Sequence, residues 1–240
     1  YTSSSIGISE QVTLNVGVNA QVLTLNNSWT LEPRAGIKWQ FSPKSSFALA
    51  YGLHSRMEKM DVYFVKTQGT GDRSVNKDLG FTRAHHVMLS YGFKVSDNMN
   101  MKIEPYFQQL YDVPVISDSS YSVLNRRDFY VENALVNRGK GRNIGVDITL
   151  ERYLNKGLYY MVTASIFDSK YYGGDRKWRN TLYNRNFIVN VLGGKEWMVG
   201  RDRQNMFSVN FKITLQGGDR YAPVDEVATL LDPDREVQYD

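Results

Sequence analysis

The clearest pattern in the sequence is the alternation of apolar and polar residues in long runs. From residue 11 to residue 20 every second residue is apolar, and the residues between them are polar or glycine. A period of two places the two sets on opposite faces of a β-strand, whereas an amphipathic helix has a period of 3.6. Eight further runs, of which 187–199 is the least regular, lie at residues 31–41, 47–54, 87–95, 99–108, 144–151, 160–166, 187–199 and 207–215.

The connections between these runs alternate between short and long. Short turns, rich in residues that favour tight turns, lie at residues 42–45, 96–98, 155–157 and 200–204. Long irregular stretches lie at 55–84, 111–140 and 168–185, and residues from 216 onward are expected to open another long loop. This order predicts an all-β fold, an antiparallel up-and-down meander of long strands.

Strand length distinguishes a membrane barrel from a soluble sandwich, whose strands also alternate. Soluble strands average about 5–6 residues, but these runs last roughly 9–13, which suits the 9–11 residues of a strand that crosses a bilayer. Aromatic rings also gather beside the short turns, as in an interfacial girdle. We therefore predict part of a transmembrane β-barrel, with a soluble β-rich binding module as an alternative. The rings that flank the short turns are Trp39, Phe41, Phe47, Tyr91, Phe93, Tyr153, Tyr159, Tyr160, Trp197 and Phe207.

Composition narrows the choice of partner and compartment. The formal charge is +4, and the basic residues are scattered along the chain, so no nucleic-acid partner is expected. The absence of cysteine excludes disulfides and thiolate metal sites but leaves the redox compartment open. Mean hydropathy is −0.43, and no apolar run reaches the length of a membrane helix. A barrel remains compatible with these values because half of each strand is polar.

The polar side of the strands is expected to face the lumen. A basic side chain facing lipid at the bilayer midplane costs about 2–4 kcal/mol, whereas in a lumen it stays hydrated or pairs with another group. Glycine is frequent on this side, at positions such as Gly17, Gly36, Gly52, Gly92 and Gly145. Strand glycines relieve curvature or permit another backbone to come close, here a plug inside the barrel, and both interpretations remain open.

Three sequence blocks resemble the barrel of TonB-dependent outer-membrane receptors, particularly those of Bacteroides-type bacteria. They are LEPRAGIKWQFSP at 31–43, LAYGLHS at 49–55 and NRGKGRNIGVDI at 137–148. The resemblance implies active uptake of a scarce nutrient, an iron chelate, cobalamin or a glycan, across the bacterial outer membrane with energy delivered through TonB. A passive porin-like channel is the alternative function.

The same resemblance implies a barrel of 22 strands that follows an amino-terminal plug. About nine strands are visible here. We therefore expect residues 1–240 to be a middle-to-late portion of the barrel domain, without the plug domain and the terminal strands. The implied partners are outer-membrane lipid, the TonB complex through the missing amino-terminal region, and a small-molecule or glycan ligand, with a surface lipoprotein as a further candidate.

No catalytic motif stands out in the sequence. There is no serine elbow, HExxH motif or Walker loop, and the carboxylates are spread one per strand. We expect no enzyme activity, no catalytic or metal-binding residue and no cofactor. His54 and His86 bracket the first long loop on the polar face and are expected to be neighbours. They contact a ligand or metal chelate, or they are rim polar groups with no special role.

A second candidate contact lies in the loop segment at residues 170–179. Its aromatic and basic residues suit stacking on sugars or holding an anionic chelate, and they equally suit an ordinary solvated loop. The candidate ligand contacts of this segment are Tyr171, Tyr172, Arg176 and Trp178.

Overall fold

Long antiparallel strands form most of the regular structure. The computed structural model describes residues 1–67, 74–126, 131–221 and 226–231. Within these ranges three short helices accompany the strands, namely α1 (Met60–Tyr63), the 3-10 helix η1 (Val123–Asn125) and α2 (Glu226–Leu231). The strands are β1 (Thr2–Gly7), β2 (Val12–Leu23), β3 (Ser28–Ser42), β4 (Ser45–Arg56), β5 (Thr82–Ser96), β6 (Met99–Val115), β7 (Val136–Asn155), β8 (Leu158–Tyr172), β9 (Trp178–Asn180), β10 (Phe187–Val199) and β11 (Asn205–Gln216).

The strands form one 11-stranded sheet in the order β1-β2-β3-β4-β5-β6-β7-β8-β10-β11, with β9 added beside β8. Every pair is antiparallel, so the predicted all-β up-and-down meander is confirmed. All nine predicted strands are present, and most extend further toward the long loops than their alternation indicates. Strands β1 and β9 were not predicted, because β1 is rich in serine and β9 has only three residues.

The register aligns apolar side chains across the sheet on one face. Leu14 pairs with Ile37, Ile37 with Leu49, and Leu49 with Leu89. We call this side the apolar face and the opposite side the polar face. Ile37, Leu49 and Leu89 remain 41%, 41% and 37% exposed, so no other described part of the chain covers them. A soluble sandwich buries such a face, whereas a barrel wall presents it to lipid.

The two ends of the sheet differ in their connections. At one end, the short-turn end, β7 and β8 are joined by Lys156 and Gly157, both with positive φ (51° and 74°), as a type I′ hairpin turn requires. Longer connections at residues 57–81, 116–135 and 173–186 leave the other end, the long-loop end. One connection at the long-loop end is short, which departs from the predicted alternation of short and long connections. Strands β2 and β3 extend until only residues 24–27 separate them.

The long loops are partly ordered by a small hydrophobic core at the long-loop end. Tyr63 of α1 is fully buried, and its hydroxyl accepts a hydrogen bond from the backbone N–H of Glu58 at 3.3 Å. Burial raises the pKa of this phenol above its usual value. The buried members of the core come from two connections and the ends of two strands, and they are Leu23, Val62, Tyr63, Leu79, Phe81, Val113, Val123 and Leu135.

Helices contribute little to this fold. Among the described residues, no helix has the length and apolar composition that a membrane-spanning helix needs. The long loop expected from residue 216 onward contains the short helix α2, while residues 222–225 and 232–240 lie outside the described part of the chain.

Candidate functional site

A buried carboxylate organises the polar face near the long-loop end of β2, β3 and β4. Glu32 is only 1% exposed and accepts hydrogen bonds from the side-chain amides of Asn19 (3.1 Å) and Gln21 (2.5 Å). It also accepts from the Arg34 guanidinium at 3.0 Å and from the backbone N–H of Ser55 at 3.1 Å. Four donors therefore compensate the burial of one negative charge.

His54 and His86 lie beside this network, where β4 pairs with β5. Gly52 is the direct partner of His86, and Ala84 is the direct partner of His54, so the two imidazoles are diagonal neighbours on the polar face. Their ring centroids are 4.5 Å apart, with an angle of 42° between the ring planes. The prediction that they are neighbours is correct. Among the described residues, no group of three or more His, Asp or Glu could hold a metal ion.

A groove runs along the polar face past the two histidines. Its volume is about 680 Å³, which lies within the range of roughly 300–1,000 Å³ common for small-molecule sites. Strand β1 forms one side of the groove, and the side chains of Arg34, His54, His86 and Met88 line it farther along the sheet. Arg34 pairs with Glu32, but its side chain stays 49% exposed, so the groove offers the guanidinium and two imidazoles to a ligand that enters from the polar side.

Hydrogen-bonded side chains continue across the polar face from β6 to β9. Asn143 donates to Gln108 Oε1 at 3.0 Å and accepts from Ser169 Oγ at 2.7 Å. Thr181, just after β9, donates to Ser169 Oγ at 2.9 Å. This chain links four neighbouring segments through their side chains as well as their backbones, so the polar face has a defined arrangement of donors and acceptors.

Two glycines of the polar face make room for side chains of the same sheet. A Cβ on Gly145 would lie 2.7 Å from the Tyr106 hydroxyl, and a Cβ on Gly52 would lie 2.7 Å from His54 Nε2. Tyr106 and His54 therefore occupy space that any larger residue would fill. At these two positions the missing Cβ has a local explanation that requires neither strand curvature nor a plug.

The segment at residues 170–179 is an ordered hairpin and not an irregular loop. Tyr172 pairs with Trp178 across β8 and β9, and Arg176 occupies the turn with φ of 64°. Asp175 accepts two hydrogen bonds from the Arg179 guanidinium, at 3.0 and 2.7 Å. These hydrogen bonds hold the pKa of the Asp175 carboxyl below its usual value and raise the pKa of Arg179.

The structure does not gather the predicted ligand contacts into one site. Tyr171 lies on the polar side, but it is only 5% exposed and pairs with Gly141. Tyr172 and Trp178 face the opposite way, on the same side as the exposed Ile144 and Ile166. The six predicted residues separate into the polar-face pair His54 and His86, the buried Tyr171, the turn residue Arg176, and the apolar-face pair Tyr172 and Trp178.

Several polar-face residues escaped the sequence analysis. Glu32, Asn19 and Gln21 form the buried carboxylate network, and Gln108 and Asn143 form the hydrogen-bonded chain. In the sequence, these residues share one property: each is a polar side chain on the polar face, near the long-loop end of its strand. Alternation assigns such a residue to the polar face but does not reveal which neighbour it contacts.

Three solved structures share this fold. The chain superposes on the ferric-catecholate import receptor Fiu from Escherichia coli K12 with a TM-score of 0.60 and 10% identity, over 82% of this chain and 31% of that one. For the FrpB iron transporter from Neisseria meningitidis the TM-score is 0.58 with 14% identity, over 88% and 32%. For the outer membrane transporter YddB from Escherichia coli it is 0.62 with 12% identity, over 95% and 34%.

These likenesses establish that the sheet has the fold of an outer-membrane transporter wall. The chain spans about a third of the length of each of the three proteins. No protein-family profile matches the sequence, and no curated protein sequence matches it.

Proposed function

We propose that this chain forms part of the barrel wall of an active-transport receptor in the bacterial outer membrane. The receptor binds a scarce nutrient, an iron chelate, cobalamin or a glycan, and imports it with energy delivered through TonB. Residues 1–240 supply an arc of a larger barrel, and the plug domain and terminal strands belong to the rest of the protein. The Bacteroides type rests on the sequence blocks at 31–43, 49–55 and 137–148.

One observation supports the proposal above the others. The sheet exposes a broad apolar face, while its opposite face is covered by hydrogen-bonded polar side chains that include the buried Glu32. A large exposed apolar surface marks an interface, and strands of 12 to 20 residues in most of this sheet are long enough to cross a bilayer. The fold shared with outer-membrane transporters supports the same assignment.

The polar-face groove is the proposed ligand-facing surface. Arg34 and the pair of His54 and His86 lie where a ligand entering from the long-loop end would meet the wall. A cation and two imidazoles suit an anionic iron chelate, and two of the structural neighbours are named as an iron transporter and a ferric-catecholate import receptor. We therefore favour an iron chelate, with Arg176 at the hairpin turn as an additional contact.

The proposal is tested by uptake of a radiolabelled ferric catecholate into cells that produce the protein, in hosts with and without TonB. We expect saturable uptake that requires TonB. Saturable uptake of a glycan or cobalamin in place of the catecholate would change the ligand but keep the receptor class. Non-saturable uptake that is indifferent to TonB would support the porin-like channel and overturn the proposal.

A double substitution tests the site itself. His54→Ala with His86→Ala should weaken ligand binding by at least tenfold, because both imidazoles leave the groove. His85→Ala is the matched control, since His85 lies next to His86 in the chain but on the apolar face, where it hydrogen-bonds to the Tyr51 hydroxyl at 2.9 Å. Equal binding by the double variant and the wild type would show that the two histidines do not contribute to ligand binding.

A further inference from the structure

Two arginines mark the limits of the apolar band on β7. Arg142 and Arg152 lie on the same face, because they are ten residues apart with an unbroken register to β8 between them. The residues between them on this face are Ile144, Val146, Ile148 and Leu150. Ten residues at about 3.3 Å each, tilted by about 45°, rise by about 23 Å, close to the apolar band of about 25 Å in outer-membrane barrels.

Beyond Arg142 the same face becomes cationic. Arg138, Lys140 and Arg142 occupy alternate positions and are all exposed, while Gly139 and Gly141 between them are buried. Lys170 of β8 lies directly opposite Arg142. Four basic side chains therefore follow the apolar band at the long-loop end. We call Arg138, Lys140, Arg142 and Lys170, together with Tyr172 and Trp178, the basic patch.

Aromatic rings lie beside two of these basic side chains. Lys140 Nζ lies 5.8 Å from the centroid of the Tyr172 ring, and the Arg142 guanidinium lies 5.6 Å from that of Trp178. The two rings are themselves 5.4 Å apart. Cation–π contacts of this length keep each basic group beside a ring while its N–H donors stay available. Tyr and Trp also favour the boundary between hydrocarbon and water.

Acidic side chains neutralise little of this charge. Elsewhere Arg34, Arg83 and Arg179 each bind a carboxylate within 3.1 Å. In the patch, Lys170 pairs with Asp168 at 3.2 Å, and this carboxylate, which lies opposite Ile144 on the same face, also attracts Arg142. Within the described ranges of the chain, no ion pair joins Arg138, Lys140 or Arg142 to an acidic residue. Asp118 lines a small adjacent cavity, together with Arg138, Lys140 and Arg176.

We propose that the basic patch binds the phosphate groups of an outer-leaflet glycolipid. This inference rests on the proposed function, because it requires the apolar face to contact outer-membrane lipid. The patch is continuous with the apolar band, so one molecule can place acyl chains along Ile144 and Ile166 and its phosphates against Lys140 and Arg142. A soluble anion would satisfy only the charges, whereas a phosphorylated lipid matches both surfaces.

The test is native mass spectrometry of the detergent-purified protein titrated with bisphosphorylated lipid A. The triple variant Arg138→Gln, Lys140→Gln and Arg142→Gln should bind it at least tenfold more weakly than the wild type. The control variant Lys44→Gln, Lys156→Gln and Arg201→Gln loses the same charge from short turns at the opposite end and should bind as the wild type does. Lipid A without phosphates should bind the wild type as weakly as the phosphorylated lipid binds the triple variant.

Two results would overturn the proposal: equal lipid binding by the triple variant and the wild type, or equal binding of the phosphorylated and dephosphorylated lipids. Far-UV circular dichroism checks that each variant is folded, and the charge-conserving triple variant Arg138→Lys, Lys140→Arg and Arg142→Lys should retain most of the binding. The uptake assay separates the two proposals. Lipid binding without TonB-dependent uptake would refute only the transport function, and uptake with no phosphate preference in lipid binding would refute only the basic patch.

Discussion

The imidazole of His54 occupies the space above Gly52, and a Cβ at position 52 would lie 2.7 Å from His54 Nε2. Gly52→Ala should therefore displace the imidazole and separate it from His86, whose ring centroid is now 4.5 Å away. We expect ligand binding to fall about as far as in His54→Ala, with a loss of stability on the order of 1 kcal/mol from the shifted side chain. Isothermal titration with the transported ligand and thermal unfolding measure the two effects.

Gly7→Ala is the control for this substitution. Gly7 lies on the same polar face, but it does not line the groove, and a Cβ there would have no atom within 4 Å. It should leave binding unchanged. If Gly52→Ala also binds normally, the position of the His54 ring is not important for the ligand.

The buried carboxylate of Glu32 should be intolerant of even an isosteric change. Glu32→Gln introduces an NH₂ group where Asn19, Gln21, Arg34 and the Ser55 backbone all donate. A donor then faces donors, and we expect a loss of about 1–3 kcal/mol, seen as a lower unfolding temperature. The exposed Glu10→Gln should have no measurable effect. A Glu32→Gln variant as stable as the wild type would mean that the network contributes little.

The Asp175–Arg179 ion pair should make the β8–β9 hairpin sensitive to acid. The hydrogen bonds from Arg179 hold the pKa of Asp175 below its usual value, so the folded hairpin favours the ionised carboxylate. This stabilisation is fully present above the ordinary Asp pKa and is lost as the pH falls through the lower pKa of the folded hairpin. Protection of the Arg176 amide, which donates to the Gly173 carbonyl, should fall over that range in hydrogen exchange corrected for intrinsic rates.

Asp175→Asn provides the comparison at each pH. It removes the titrating group, so its protection should be low and independent of acid in this range. A wild-type hairpin that keeps full protection well below the ordinary Asp pKa would contradict this account of the ion pair.

The alternation of the sequence predicts the fold because side-chain direction in a strand depends only on parity. Nine strands and the two faces follow from it, including the position of His54 and His86 on one face. The same rule does not reach Tyr172 and Trp178, because the irregular segment at residues 168–185 predicts a loop. Once β8 extends to Tyr172 and pairs with β9, parity places both rings on the apolar face.

Other features depend on contacts between segments that are distant in sequence. Glu32 and Ser55 are 23 residues apart, and the Asn76 side chain accepts from the backbone N–H of Leu135 at a separation of 59. The loop core likewise combines Leu23, Val62 and Val123. Polarity indicates that such residues need partners, but the register and the folding of the long loops decide which partners they find.

The assignment of the two faces is tested by matched substitutions in the middle of β7. Ile148 and Thr149 are adjacent, about midway along the band between Arg142 and Arg152, and they point to opposite faces. Ile148→Arg places a charge in hydrocarbon and should destabilise the protein in lipid vesicles by about 2–4 kcal/mol, whereas Thr149→Arg enters the hydrated lumen and should cost much less. Unfolding by guanidinium in the presence of vesicles gives both values. A larger cost for Thr149→Arg would reverse the faces and favour a soluble sheet with its core on the other side.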